Sequence, residues 1–255
     1  MSLPVVTREN YYTIEMNQAY MSASQYKAFS CCEAAALAEL HGEWKPEETT
    51  AMLVGSYVDA HFDGSLDQFK STHPALFTRA GKLRAEYKQA ECIIERVSRD
   101  EMFVRYMSGE KQVVRTGKID GVPFKIRMDS YHAGKCIVDL KVMRNFDPVW
   151  AESIRTPFVE AWGYDIQGAV YQAIEGDHLP FFIAGATKER EPDLAILGIP
   201  QDRLDYCLQL VTENVHRYDA IKHGEIEPMR CERCDYCRST KKLTRILDYM
   251  EVGIC

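Results

Sequence analysis

Two aspartates and a lysine carry the clearest chemical signal in this chain. Asp129 precedes Asp139 by ten residues and Asp139 precedes Lys141 by two, in the frames Arg127-Met128-Asp129 and Ile137-Val138-Asp139-Leu140-Lys141. Strand side chains alternate between faces, so Asp139 and Lys141 point the same way while the Leu140 carbonyl lies between them. A hairpin turning at His132, Ala133 and Gly134 would fold Asp129 back beside them. Two carboxylates and a carbonyl are hard oxygen ligands suited to Mg²⁺ or Mn²⁺. A neighbouring ammonium can hold or deprotonate a water aligned on a phosphodiester. A plainer reading uses the same residues. An acid in the apolar stretch 136–142 needs a cation, and a simple Asp139 to Lys141 ion pair at a hairpin edge meets that need.

The elements that must position this trio follow from hydropathy periodicity and turn residues. Helices are expected over residues 24–40 and 47–62, separated by the region of Gly42 and Pro46, and one long helix over 81–107. Strands are expected over 111–118, 122–131 and 135–142, then a helix over 157–174, strands over 181–188 and 194–199, and a helix over 201–223. This is an α/β pattern with a helix-rich N-terminal part (1–108), a core around a central sheet (109–228) and a Cys-rich C-terminal tail (229–255). No internal repeat or low-complexity linker divides it, so a single domain over 1–255 is expected, and 46% hydrophobic residues suffice for a substantial core. The apolar runs are too short to span a bilayer and no signal peptide is evident, which predicts a soluble, cytoplasmic protein that makes no use of a membrane. Nine cysteines, an odd number, fit a reducing compartment better than a secreted disulfide framework.

Other blocks extend the pattern along nearly the whole chain. Ser22, Ser24, Tyr26, Phe29 and Cys32 stand near the N-terminus, Gly55, Ser56, Tyr57, Val58 and Asp59 follow, and Gln167 and Tyr171 lie four apart beyond the hairpin. In this order the blocks resemble the PD-(D/E)XK nuclease superfamily and, within it, the RecB-like and RecE-like exonuclease branch, with Asp-Leu-Lys replacing the more usual Glu-x-Lys. The first block resembles that branch's opening Ser-x-Ser helix, which ends in a cysteine. The second resembles its Gly-x-x-x-His block, whose last residue ligates metal. Asp59 takes the place of that histidine, and His61, two residues later, is the alternative ligand. The third resembles its Gln-x-x-x-Tyr motif, on one face of a helix flanking the site. An amphipathic helix with a buried tyrosine would also explain this last spacing.

The resemblance implies a restriction-endonuclease-like core, a central mixed β-sheet flanked by helices. It further implies an Mg²⁺- or Mn²⁺-dependent exodeoxyribonuclease of the phage or prophage recombination type, acting on linear duplex DNA and leaving a 5′ phosphate. Its partner would be a single-strand annealing recombinase, and related enzymes form homo-oligomeric rings around DNA. Asp59, Asp129, Asp139 and the Leu140 carbonyl would hold the metal, Lys141 would orient the attacking water, and Gln167 and Tyr171 would position the scissile strand. The competing class is a non-catalytic nucleic-acid or protein binding module that keeps the nuclease fold. The departure at Asp59 favours that class, and the joint presence of both hairpin acids and Lys141 opposes it.

Cys231, Cys234 and Cys237 form C-x2-C-x2-C, three thiolates in one short loop and one ligand short of a tetrahedral zinc site or a cubane cluster. Some RecB-like nucleases join an N-terminal cysteine to three C-terminal ones around a [4Fe-4S] cluster, which implies Cys32 as the fourth ligand. The C-terminal spacing departs from their C-x2-C-x5-C. An iron-sulfur cluster, zinc and plain reduced thiols all stay open. Cys31, Cys207 and Cys255 are weaker ligands, whereas Cys92 and Cys136 are expected to be small buried hydrophobes. A net charge of −7 opposes a broadly basic surface for DNA. A local positive groove is expected instead from Lys82, Arg84 and Lys88, from Lys125 and Arg127, or from Arg230, Arg233, Arg238, Lys241 and Lys242 among the last cysteines.

Overall fold

The structure, a computed structural model, describes residues 3–151, 154–246, 248 and 250. Cys255 and part of the expected tail lie outside the described residues. The N-terminal part supplies α1 (Ile14–Ala19), α2 (Ala23–Cys31), α3 (Glu33–Leu40), α4 (Thr50–Phe62), α5 (Leu66–Thr72), α6 (Gln89–Ser98) and α7 (Glu101–Tyr106). Strands β1 (Glu110–Ile119), β2 (Val122–His132) and β3 (Cys136–Met143) follow, then a short ribbon of β4 (Val149–Ala151) and β5 (Ile154–Thr156). The chain continues through α8 (Phe158–Ala161), α9 (Tyr164–Glu175), β6 (Phe181–Thr187), β7 (Leu194–Gly198), α10 (Gln201–Lys222) and α11 (Asp235–Ser239).

The central sheet has five strands in the order β1-β2-β3-β6-β7. Strands β3 and β6 run parallel, and every other neighbouring pair is antiparallel. Both faces are covered, which is why β3 and β6 read as apolar runs rather than alternating ones. On one face, Phe124, Ile126, Ile137 and Ile183 pack with Phe29 of α2, Val170 of α9 and Val211 of α10. On the other, Val138, Leu140 and Ala184 pack with Val58 of α4, Ile93 of α6 and Phe103 of α7. This is the expected α/β class, a mixed sheet between helical layers with helices leading the chain. Among the described residues no helix is long and apolar enough to cross a membrane.

Three expected helices are each interrupted. The helix over 24–40 splits at Cys32, whose backbone is extended (φ −163°, ψ 107°) and separates α2 from α3. The helix over 157–174 splits at Gly163, whose positive φ of 60° separates α8 from α9. The helix over 81–107 keeps only its second half. Leu83 bridges Phe77 in extended pairing, and a 3₁₀ turn at Ala85–Tyr87 precedes α6. Asp100 then ends the run by capping α7, its carboxylate accepting from the Phe103 N–H at 2.9 Å. In each case a local hydrogen bond, turn or tertiary contact outweighs helix propensity, which differs by only tenths of a kcal/mol between ordinary residues. Cys92 lies exposed on α6 and Cys136 is half-buried, so the expectation that both are buried fails. Periodicity along α6 instead buries Ala90, Ile93 and Val97.

Candidate active site and cysteine centre

The β2–β3 hairpin turns as its residues require, with Gly134 at φ 65° and the Lys135 N–H donating to His132 at 2.8 Å. Pairing between β2 and β3 covers Ser130↔Val138, Tyr131↔Ile137 and His132↔Cys136, and the strands part beyond it. Asp129 occupies that parting. Its Oδ2 accepts from the Leu140 N–H at 2.9 Å, so a carboxylate takes the place of a missing strand partner. Asp139 is buried, with Lys141 Nζ in ion-pair contact with its Oδ2. That oxygen nevertheless has no well-directed hydrogen bond. Asp59 reaches the same place from α4. All four side chains line one cavity of about 550 Å³, together with Arg127, Gln167 and Tyr171.

Surrounding groups hold the acids from outside. Gln167 on α9 donates to Asp139 Oδ1 at 2.6 Å. It comes this close because its neighbour Gly168 lies against β6, where an added Cβ would sit 2.7 Å from the Phe181 ring. Tyr171, one turn further along α9, donates its hydroxyl to the Arg127 carbonyl at 2.9 Å and so ties α9 to β2. Arg127 in turn stacks 4.5 Å over the Tyr12 ring and donates to its hydroxyl at 2.6 Å.

His61 lies elsewhere. It is about 200° from Asp59 around α4, its ring meets Phe62 edge-on, and it is not among the residues lining the cavity.

The electrostatics describe an unbalanced cluster of like charge. Burial, then the Asp139 charge, pushes the Asp129 carboxyl up to about 7. Burial and the Asp129 charge also raise Asp59 well above the usual carboxylate range. Lys141 is opposed by burial, yet Asp139 and Asp129 hold its pKa above the usual lysine value, so it stays an ammonium. Lys141 and Arg127 face three crowded carboxylates, and the upward shifts of Asp59 and Asp129 show that these cations do not fully offset burial and mutual repulsion. Together with Asp139 Oδ2, whose one contact among the described residues is the Lys141 ammonium, these hard oxygens are of the chemistry that suits a divalent cation, and Asp59, Asp129, Asp139 and the Leu140 carbonyl could hold one.

Two neighbours escaped the sequence reading. Gln112, in mid-strand opposite Asp129, is buried, has a positive φ of 54° and donates to Asp129 Oδ1 at 3.3 Å. A non-glycine residue in that region is strained by about 1–3 kcal/mol, and the strain places an amide behind a candidate ligand. Lys27 of α2 is the other. It lies 5.5 Å over the Tyr164 ring, and burial lowers its pKa to about 8. Neither carries a local motif that would have flagged it. The expected basic groups also divide. Arg127 enters the cavity wall, whereas Lys125 is buried and bonded to Tyr11 and Asn17. Arg230 and Lys241 both pair with Glu232, and Arg238 pairs with Asp235.

The second cluster joins the two ends of the domain. Cys32, Cys231, Cys234 and Cys237 place their sulfurs within 4.8 Å of one another. The extended backbone that interrupts the helix at Cys32 is held by the next residue. The buried Glu33 takes two hydrogen bonds from Arg217, at 2.7 and 2.8 Å, and one from the Met229 N–H at 2.7 Å. The Arg233 N–H, aided by that of Cys234, lowers the Cys231 thiol to about 6, while burial pushes Cys234 up to about 12. Cys32 lies 3.6 Å and Cys231 3.9 Å from the Cys237 sulfur. Tetrahedral Zn–S bonds of about 2.3 Å put sulfurs about 3.8 Å apart, so this spacing suits a single ion. The thiolates of a cubane bind four separate irons and stand farther apart. Cys31 is exposed and Cys207 is buried under Asp165, and neither joins the cluster.

A crystal structure named "Putative exonuclease" from Eubacterium rectale is 49% identical over 98% of this chain and 99% of its own, with a TM-score of 0.93. The structure of SSO0001 covers 76% of this chain and 84% of its own at 13% identity, but its TM-score of 0.28 contributes nothing to the assignment. Among curated proteins nothing matches the chain. The model of the family described as "PDDEXK-like domain of unknown function" matches residues 22–240, which takes in every candidate ligand of both centres. The chain belongs to this PDDEXK-like family and, through it, to the PD-(D/E)XK nuclease superfamily.

Proposed function

We propose that this protein is a metal-dependent exodeoxyribonuclease of the phage or prophage recombination type that hydrolyses linear duplex DNA in the cytoplasm. The observation that supports it most is the crowding of Asp59, Asp129 and Asp139 around Lys141 in one cavity, with Asp139 Oδ2 left without a directed hydrogen bond. The exonuclease name of the 49%-identical relative agrees with the exo assignment.

Asp59, Asp129, Asp139 and the Leu140 carbonyl hold Mg²⁺ or Mn²⁺, which when bound supplies positive charge against the scissile phosphate and the departing 3′ oxygen. Lys141, kept as an ammonium by the acids, orients the attacking water and donates to the developing charge. Gln167 fixes the Asp139 carboxylate, and Tyr171 fixes the β2 backbone at Arg127. The wider reading, taken from the resemblance, includes a single-strand annealing recombinase as partner and a homo-oligomeric ring.

The cysteine centre is assigned a structural role, clamping α2–α3 to the C-terminal loop. Resemblance favours a [4Fe-4S] cluster in it, and the sulfur spacing favours zinc. Iron with acid-labile sulfide in anaerobically purified protein would establish the first, and stoichiometric zinc the second.

The test of the nuclease reading is direct. Purified protein with Mg²⁺ should shorten linear duplex DNA from its ends and spare closed circles, and chelator should stop it. Retardation of the DNA without any loss of it, in Mg²⁺ and in Mn²⁺, would make the protein the non-catalytic binding module instead.

A further inference from the structure

A second open cavity, of about 1150 Å³, runs from the acid cluster along α4, the segment after β3, the β4–β5 ribbon and α8. It shares Asp59, Leu140, Lys141 and Tyr164 with the first cavity, so the two meet at the acids. The chain carries −7 overall, yet among the described residues this groove sets Lys141, Arg144, Arg155 and Lys188 against Asp59 and Asp147, four cations to two acids.

The chain has three tryptophans, and two of them open into this groove. Trp150 is 72% exposed and Trp162 is 57% exposed. Indoles are seldom left this open unless something covers them. Trp150 is registered directly across the ribbon from Arg155, so an aromatic plane and a guanidinium stand side by side. Trp162 sits at the junction of α8 and α9, where Lys27 fixes its carbonyl at 3.2 Å.

We propose that this groove is the path of a single strand of DNA, with bases stacked on Trp150 and Trp162 and phosphates on Arg144, Arg155 and Lys188. Aromatic faces alternating with cations along a groove are the recognition chemistry of unpaired nucleic acid. A base inside a duplex has both faces covered by its neighbours, and only the end pair leaves one face open, so stacking on two successive indoles requires unpaired bases. The strand to be cut therefore leaves the duplex before it reaches the acids, and the excess positive charge leads it toward the one place where its phosphate meets Asp59, Asp139 and Lys141. The inference deepens the nuclease reading and rests on the acid cluster being the cleavage site.

The test uses full-length protein carrying Asp139→Asn, so that bound DNA survives, with a labelled oligothymidylate and a blunt duplex as probes. Oligothymidylate should quench the intrinsic tryptophan fluorescence. Trp150→Ala and Trp162→Ala should each weaken its binding by roughly tenfold or more, the range of one lost stacking partner, and duplex binding should change little. Trp150→Phe, which keeps an aromatic face, should recover much of the loss. Equal weakening on both probes, or none on either, would overturn the proposal. So would a change in oligomeric state with DNA binding intact, since the groove would then be a protein interface. Failure of the nuclease reading looks different: wild-type protein would bind the oligothymidylate and cut nothing in Mg²⁺ or Mn²⁺.

Discussion

The acid cavity and the cysteine cluster are both gatherings of like ligands, but the protein holds them by different means. The acids sit on long elements, β2, β3 and α4, and lean on rigid neighbours, with the Leu140 amide and Gln112 on Asp129 and Gln167 on Asp139. The cysteines sit at a helix interruption and on a short loop, held by Glu33, Arg217 and a few backbone amides. The first site is positioned by the sheet and by these hydrogen bonds. The second joins segments 205 residues apart, and an ion bound there would act as a cross-link. The comparison therefore separates chemistry from stability, since each centre should fail in only one of them.

The strongest way to break this comparison is Asp139→Asn. Cleavage should fall to background, beyond the roughly 100-fold upper end typical of losing a ligand's outer partner. Melting temperature in chelator should change little, because relief of the crowding among the acids is offset by loss of the buried ion pair with Lys141. Normal rates on linear DNA, or an unfolded protein by circular dichroism, would contradict it.

Cys234→Ser should do the opposite. Closing a long loop contributes about 4 kcal/mol, and a domain of this size shifts by about 2–4 °C per kcal/mol, so melting should fall by roughly 10 °C with loss of bound metal. Cleavage per folded molecule at low temperature should persist. Loss of cleavage in a protein that still melts cooperatively at the wild-type temperature would show that the two centres are coupled.

Lys141→Ala sharpens the first half of the comparison. Turnover should drop about a hundredfold or more, the scale of one preorganised donor, while calorimetry still finds Mg²⁺ binding. If metal affinity collapsed instead, Lys141 would be a structural partner of the acids.

The smallest expected effect tests the rigidity of the acid site's wall. Lys125 lies under that wall, bonded to Tyr11 and Asn17, and burial, then the Lys222 charge, lowers its pKa from 10.5 to about 8. Between those values the unfolded chain holds a proton that the folded chain has lost, so stability rises with pH there. In Lys125→Met, denaturant titrations at pH 8 and pH 10 should show a smaller rise than in wild type. An unchanged rise would place the ionisation elsewhere.

What could be read in the sequence was whatever one element encodes about itself. Strand alternation put Asp139 and Lys141 on one face, the turn at Gly134 returned Asp129 to them, and helical spacing paired Gln167 with Tyr171. The tertiary structure decided everything that depends on distance between elements. Only packing brings Asp59 rather than His61 to the cavity, strains Gln112 behind Asp129, and interrupts a helix at Cys32 so that its sulfur meets three others. Only packing, too, pairs Arg230 and Arg238 of the C-terminal loop with carboxylates, sets Lys82 and Lys88 along one cavity and gathers Arg144, Arg155 and Lys188 along another. The physical reason is that burial periodicity is a local property, recorded residue by residue. Whether two groups tens of residues apart share a cavity depends on strand splay, helix placement and ion pairing, which no short window contains.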